Sequence, residues 1–193
     1  MRIVGGAHRG RVIAAPPGDV IRPTGDRVRE SLFNILAHHD FGEFDLEGAR
    51  VLDLFAGTGA LGLEAISRGA SFTLFVDDSA DARAAIRENV ETLGLTGNAK
   101  LYKRDATKLG PRPGSVGPHF SLLFVDPPYR KGLAELALVS AREGDWLAPH
   151  ALCVVEESVE ANFVAPSGFD EIDRRKYGLT EIIFLTLTEG SPK

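Results

Sequence analysis

The chain has 193 residues, is 44% hydrophobic and 25% charged, and carries a formal net charge of −5. That is apolar material for one buried core, a single domain or one domain with a small appendage. No apolar run approaches the ~18 residues that span a membrane, and the lone Cys153 can form no internal disulfide, so a reducing cytoplasm is the expected setting.

The charge is uneven. Residues 1–30 hold Arg2, Arg9, Arg11, Arg22, Arg27 and Arg29 against Asp19, Asp26 and Glu30, a balance of +3. The remainder holds 16 basic and 24 acidic residues, a balance of −8. A basic arm on an acidic body reaches phosphate without making the protein basic overall; the plainer alternative is a solvated tail. Residues 1–25 are therefore set apart as an arm and residues 26–193 as the main domain. The opening MRIVGGAHRGRV has no apolar stretch of the kind that directs secretion, and no signal peptide is expected.

After the arm, RVRESLFNILAHH places Val28, Leu32, Ile35 and Leu36 at helical spacing, with Thr24 or Asp26 as N-cap. His38 and His39 fall at its C-terminal end, where they suit the helix dipole and show no metal-ligand spacing with Cys153. ARVLDLF (49–55) reads as a strand leading into a glycine-rich turn and the helix ALGLEAISRGA. SFTLFV (71–76) is the next strand, followed by a helix near 80–94, then KLYKR (100–104). GPRPGSVGP (110–118) is a loop, SLLFV (121–125) a strand, residues around 132–144 a helix, and ALCVVEE (151–157) a strand. FDEIDRRKYG and EIIFLTL form a hairpin turning near Gly178. Such alternation predicts an α/β fold, a mostly parallel sheet covered by helices on both faces, whose ligands sit at the carboxyl ends of the strands.

VLDLFAGTGALGLEA carries Gly57-x-Gly59-x-x-Gly62 between strand and helix, where glycines permit a sharp turn and close ligand approach. Asp53 and the Phe55-Ala56 pair precede the first glycine, and an acid there repels a pyrophosphate but suits an ammonium or a sulfonium. Asp77, directly after the second strand, is placed to accept from ribose hydroxyls, with Asp78 as the competing candidate. Asp105, followed by Ala106, either receives an adenine amine or caps the short segment ATKL. Asp53, Asp77, Asp105 and Asp126 thus end four successive strands.

FVDPPYRKG ends a strand in Asp126, Pro127, Pro128 and Tyr129. Prolines stop the ladder and hold the backbone rigid. At this motif the chain resembles class I S-adenosylmethionine-dependent methyltransferases that act on planar exocyclic nitrogens. VGGAHRGRVI, RPTGDRVRESLFNIL, VLDLFAGTGALGLEAISRGA and FVDPPYRKG together resemble the bacterial 16S rRNA guanine-N2 methyltransferase (RsmD) family, over most of the chain. The resemblance implies a Rossmann-like seven-stranded sheet with a C-terminal antiparallel hairpin and an N-terminal β-hairpin arm. It implies S-adenosylmethionine as cofactor, with no metal. It implies a guanine of small-subunit rRNA as substrate, within an assembled or assembling small subunit. It also brings Thr24 near the cofactor.

The chemistry agrees with that family. An exocyclic amine delocalises its lone pair and is a poor nucleophile. Asp126 accepting from one N–H, and a proline carbonyl from the other, frees the lone pair and stabilises the positive charge that develops. Tyr129 offers a face for a flipped-out base. Arg2, Arg9, Arg11, Arg22, Arg27, Arg29, Arg130 and Lys131 are the candidate RNA contacts; Arg27 or Arg29 alternatively steadies Asp126 or the cofactor. A nicotinamide dehydrogenase, a DNA or other RNA amine methyltransferase, and a non-catalytic assembly factor are the rival readings. A monomer is the default expectation.

Overall fold

The computed structural model describes residues 1–15, 25–129 and 131–188. Helix α1 (Asp26–His38) buries Arg29, Leu32, Phe33 and Leu36, a stripe at the helical period. Val28 and Ile35 flank that stripe, half-buried. Its N-cap is Gly25, which offers no side-chain bond, and Asp26 is the first helical residue. Thr24, the other expected cap, lies outside the described residues. His38 closes the helix, as expected.

Strands β1 (Arg50–Leu54), β2 (Phe72–Val76), β3 (Ala99–Tyr102), β4 (Phe120–Val125), β5 (Leu147–Ser158), β6 (Phe169–Tyr177) and β7 (Thr180–Leu187) form one sheet in the order β3-β2-β1-β4-β5-β7-β6. The first five are parallel, and β7 pairs antiparallel with β5 and β6. The β6–β7 turn runs through Gly178 at φ 65°, a conformation open to glycine. Helices α2 (Ala60–Ser67), α3 (Ala80–Leu93) and α4 (Leu133–Glu143) cross between the parallel strands. β5 begins four residues earlier than its apolar run suggested, because Leu147 already pairs with Phe120.

Successive strand residues point to opposite faces, and the core divides accordingly. Leu52, Leu54, Leu74, Val76, Leu123 and Val125 pack against Ala134, Ala137, Leu138 and Ala141 of α4. On the other face, Val51, Leu122, Phe124 and Val154 meet Leu32, Phe33 and Leu36 of α1 and Leu61 and Ala65 of α2. Strand order reverses between β1 and β4, so the loops after these two strands diverge and open a crevice at their carboxyl ends.

The leading segment folds back on this body. Arg2 and Val12 bridge antiparallel, and Ile3 and Ile13 are buried with Leu63, Phe75, Ile86, Leu93 and Leu95. No helix among the described residues is long and apolar enough to cross a membrane.

Candidate active site

The register places the site. Leu54 pairs with Val76 on one side and Val125 on the other, and Val125 pairs with Val155. Phe55, Asp77, Asp126 and Glu156 are the next residues on these four adjacent strands. At ~4.8 Å between strands they form a row about 14 Å long at the lip of the crevice.

After β1 the backbone reverses sharply. Phe55, Gly57 and Gly59 take φ of 57°, 55° and 78°; at Phe55, a residue with a Cβ, this costs of order 1–3 kcal/mol. Ala56, nearly buried, donates its N–H to Val76 O at 3.2 Å. Asp77 clamps the turn: Oδ2 accepts from Gly57 N at 2.9 Å and Oδ1 from Ser79 N at 2.8 Å. Each oxygen keeps a further lone pair for a ligand hydroxyl. Asp78, the competing candidate, is exposed.

Asp53 is not at the lip. It lies inside β1, 2% exposed, with Oδ2 accepting from Gly62 N at 3.0 Å. Burial, partly opposed by that bond and reinforced by the Asp77 charge, lifts its carboxyl to about 8. Gly62 presses against the strands: an added Cβ would lie 2.4 Å from the Phe75 ring and 2.9 Å from Asp53 Oδ2. Gly62→Ala is expected to cost about 2 kcal/mol by overpacking, or roughly 4–8 °C in Tm, read by thermal denaturation.

Asp105 lies three residues beyond β3, not at its end, and is exposed. Its Oδ1 accepts from Thr107 N at 2.8 Å and Thr107 Oγ1 at 2.6 Å, capping the 3-10 turn Ala106–Lys108. These bonds hold its carboxyl below the usual range. The capping reading is realised, and because both bonds fall on one oxygen it does not exclude a ligand at the other. Ala106 is buried in the core.

In the motif after β4, Asp126 and Tyr129 are half-buried, Pro127 is buried and Pro128 exposed. Tyr129 Oη donates to Glu156 Oε1 at 2.6 Å and lies 3.4 Å from Thr180 Oγ1. Burial, then the charge of Glu156, pushes the phenol well above its ordinary value, so it stays a donor. Glu156, 5% exposed, and Thr180 were not among the sequence-derived candidates. The run ALCVVEES, an apolar strand ending in acids as the others do, carried the signal for Glu156; the β7 position of Thr180 left none. Glu156→Gln keeps an acceptor for Tyr129 and is expected to keep the ring in place. Glu156→Ala strands a partly buried donor at about 1–3 kcal/mol, and should lower both Tm and kcat where the glutamine variant does not.

Of the candidate RNA contacts, Arg2, Arg9, Arg11, Arg27 and Lys131 are exposed. Arg2 approaches Asp26 at 3.8 Å, and Arg11 donates to Thr92 O at 3.2 Å. Arg29 is a correction. It is fully buried, donating to Arg2 O and, at 2.9 Å, to Asp26, with Glu64 at 3.8 Å. It ties the arm to α1 and α2 and cannot reach RNA from there. Arg22 and Arg130, like Thr24 among the cofactor candidates, lie outside the described residues.

A glycine turn, a clamping acid on the next strand and an Asp-Pro-Pro-Tyr end on the strand across the reversal, in this sheet order, define a class I S-adenosylmethionine-dependent methyltransferase. The family model described as "Conserved hypothetical protein 95" matches residues 1–186. The ribosomal RNA small subunit methyltransferase D of Escherichia coli K12 is 44% identical over 161 residues, covering 83% of this chain and 76% of the relative. That of Haemophilus influenzae is 32% identical over 180 residues, covering 93% and 90%. The solved structure of Escherichia coli yhhF superposes with a TM-score of 0.79 at 34% identity, covering 97% of each chain. The chain belongs to this family, that of the small-subunit methyltransferase D proteins.

Proposed function

We propose that this protein methylates the exocyclic N2 amine of a guanine in small-subunit rRNA, acting in the cytoplasm as a monomer on an assembled or assembling subunit. The observation that carries it is Asp126-Pro-Pro-Tyr129 at the crevice, beside the glycine turn, with its tyrosine locked to Glu156. The names of the family's relatives supply the RNA.

The residues fit S-adenosylmethionine. Positive-φ glycines leave backbone room, Asp77 presents carboxylate lone pairs, and the buried acid Asp53 beside it is complemented by a cation. Phe55, Ala56, Gly57, Gly59 and Asp77 would hold it, with Asp53 acting through its charge from beneath Gly62 and Asp78, Asp105, Ala106 and Asp126 at its edges. The cofactor supplies an electrophilic methyl group. The chain's own part is to hold the amine. Asp126 and a proline carbonyl accept from its two N–H groups, lifting the lone pair out of conjugation, and Asp126 stabilises the positive charge as it develops. Once alkylated, the nitrogen bears a positive charge and is acidic, so its proton leaves after the methyl is transferred. Tyr129, pinned by its hydroxyl, keeps one ring orientation for the flipped base to stack on.

Arg2, Arg9 and Arg11 on the folded arm, with Arg27 on α1 and Lys131 after the motif, would contact phosphates. Charge reversal at Arg9 and Arg11 is expected to weaken RNA binding at least tenfold, steeply with falling salt, and to leave S-adenosylhomocysteine affinity unchanged by calorimetry. The deciding assay uses labelled S-adenosylmethionine and small subunits lacking the modification, with nucleoside mass analysis. N2-methylguanosine is expected; methylated adenine or cytosine would move the proposal to another amine.

A further inference from the structure

Asn89 lies on α3, away from the motif, and is 2% exposed. Its carbonyl oxygen and both amide N–H groups are engaged by two segments distant in sequence. Oδ1 accepts from Ala14 N at 2.6 Å, and Nδ2 donates to Ala14 O and to Thr58 O, both at 3.0 Å. Ala14 is in the arm; Thr58 stands between Gly57 and Gly59 in the cofactor turn. At the other end of the arm, Thr58 Oγ1 contacts Met1 Sδ at 3.8 Å. One end of the arm therefore touches the turn that has to conform to the cofactor, and the other end reaches it through Asn89.

We propose that Asn89 is a positioning residue that couples docking of the arm to the conformation of the glycine turn, so that cofactor and RNA each strengthen binding of the other. This rests on the reading above, in which the arm holds RNA and the turn holds S-adenosylmethionine. A single amide bridges the two, and its geometry is satisfied only when Ala14 and Thr58 are both in place. The arm's docked state is otherwise held by Ile3 and Ile13 in an apolar seat and by backbone bonds to side chains of α2: Val4 N to Glu64 at 2.8 Å, His8 N to Ser67 Oγ at 2.9 Å, and Ser67 Oγ to Gly5 O at 2.6 Å. Removing Asn89 leaves those contacts, so the arm stays docked while the hydrogen-bonded link from Ala14 to the turn is cut and only the weak Met1 sulfur contact with Thr58 remains. Linkage then requires the gain to be reciprocal.

The test is a binding cycle on the full chain with S-adenosylhomocysteine and unmodified small subunits. In the wild type each ligand is expected to raise affinity for the other on the order of fivefold or more. In Asn89→Ala the factor should fall to near one, with affinity for subunits alone within about twofold of wild type. Ile86→Val, a destabilising control that leaves the bridge intact, should keep the coupling. Should Asn89→Ala fail to fold, hydrogen exchange on the wild type replaces it: adding S-adenosylhomocysteine should slow exchange at the Ala14 amide at least fivefold. A wild type that binds both ligands without coupling, an Asn89→Ala that keeps it, or an Ala14 amide unaffected by the ligand overturns the inference. A wild type that binds neither ligand overturns instead the function on which it rests.

Discussion

Asp126→Ala is expected to lower kcat for methyl transfer about 10²- to 10³-fold, the usual loss when a group aimed at developing charge is removed. The fold should survive. Asp126 is half-buried at a strand end, outside the three apolar clusters, and a lip residue of this kind is cheap to truncate. Asp126→Asn keeps an acceptor of the same shape but loses the charge, so it should fall between wild type and alanine. That ordering separates electrostatic stabilisation from simple hydrogen bonding of the amine. Single-turnover rates with subunits in excess measure it; an alanine variant within threefold of wild type would remove Asp126 from the chemistry.

The second large effect concerns Asp53. Its folded-state carboxyl sits at about 8 against an ordinary 3.8. Because the folded value is the higher one, the stability this group contributes is fully present below about pH 4 and is lost as the pH rises through about 8. Its slope cannot exceed ~1.4 kcal/mol per pH unit. Asp53→Asn keeps an oxygen to accept from Gly62 N and cannot ionise, so it should flatten the fall in Tm between pH 5 and 9. The same logic bears on the cofactor. At pH 7 the acid is mainly protonated, and a cation brought beside it favours the carboxylate, so binding should release up to one proton. Calorimetry of S-adenosylmethionine, which carries the sulfonium that S-adenosylhomocysteine lacks, in buffers of differing ionisation heat counts that proton; in Asp53→Asn the release should vanish and affinity should drop roughly tenfold. Release unchanged in the variant would place the cofactor's charge elsewhere.

The strand–helix alternation, the glycine turn, the Asp-Pro-Pro-Tyr end and the closing hairpin were all legible in the sequence, and each stands in the structure where its pattern placed it. They were legible for a physical reason. Buried parallel strands are short apolar runs, and the residue that ends one lies at the ligand edge whatever the rest of the chain does. Local patterns of this kind carry their meaning with them.

The remainder depended on which segments meet. Asp53 and Asp77 look alike in sequence, each an acid near the end of an apolar run, but one is sealed beneath Gly62 and the other clamps the turn. Only the packing of α2 on β1 separates them. Arg29 resembles Arg27 as a helix arginine of a basic segment, yet it points inward to Arg2, Asp26 and Glu64 and joins the arm to the body. The hydroxyl of Tyr129 finds Glu156 27 positions away and approaches Thr180 51 positions away, and Asn89 joins segments 75 and 31 positions distant. The sequence by itself determined the sheet, its ligand edge and the Asp-Pro-Pro-Tyr end that stands there. Tertiary structure alone decided which charges are buried, what locks the tyrosine, and how the arm meets the glycine turn, because those depend on contacts between residues far apart in the chain.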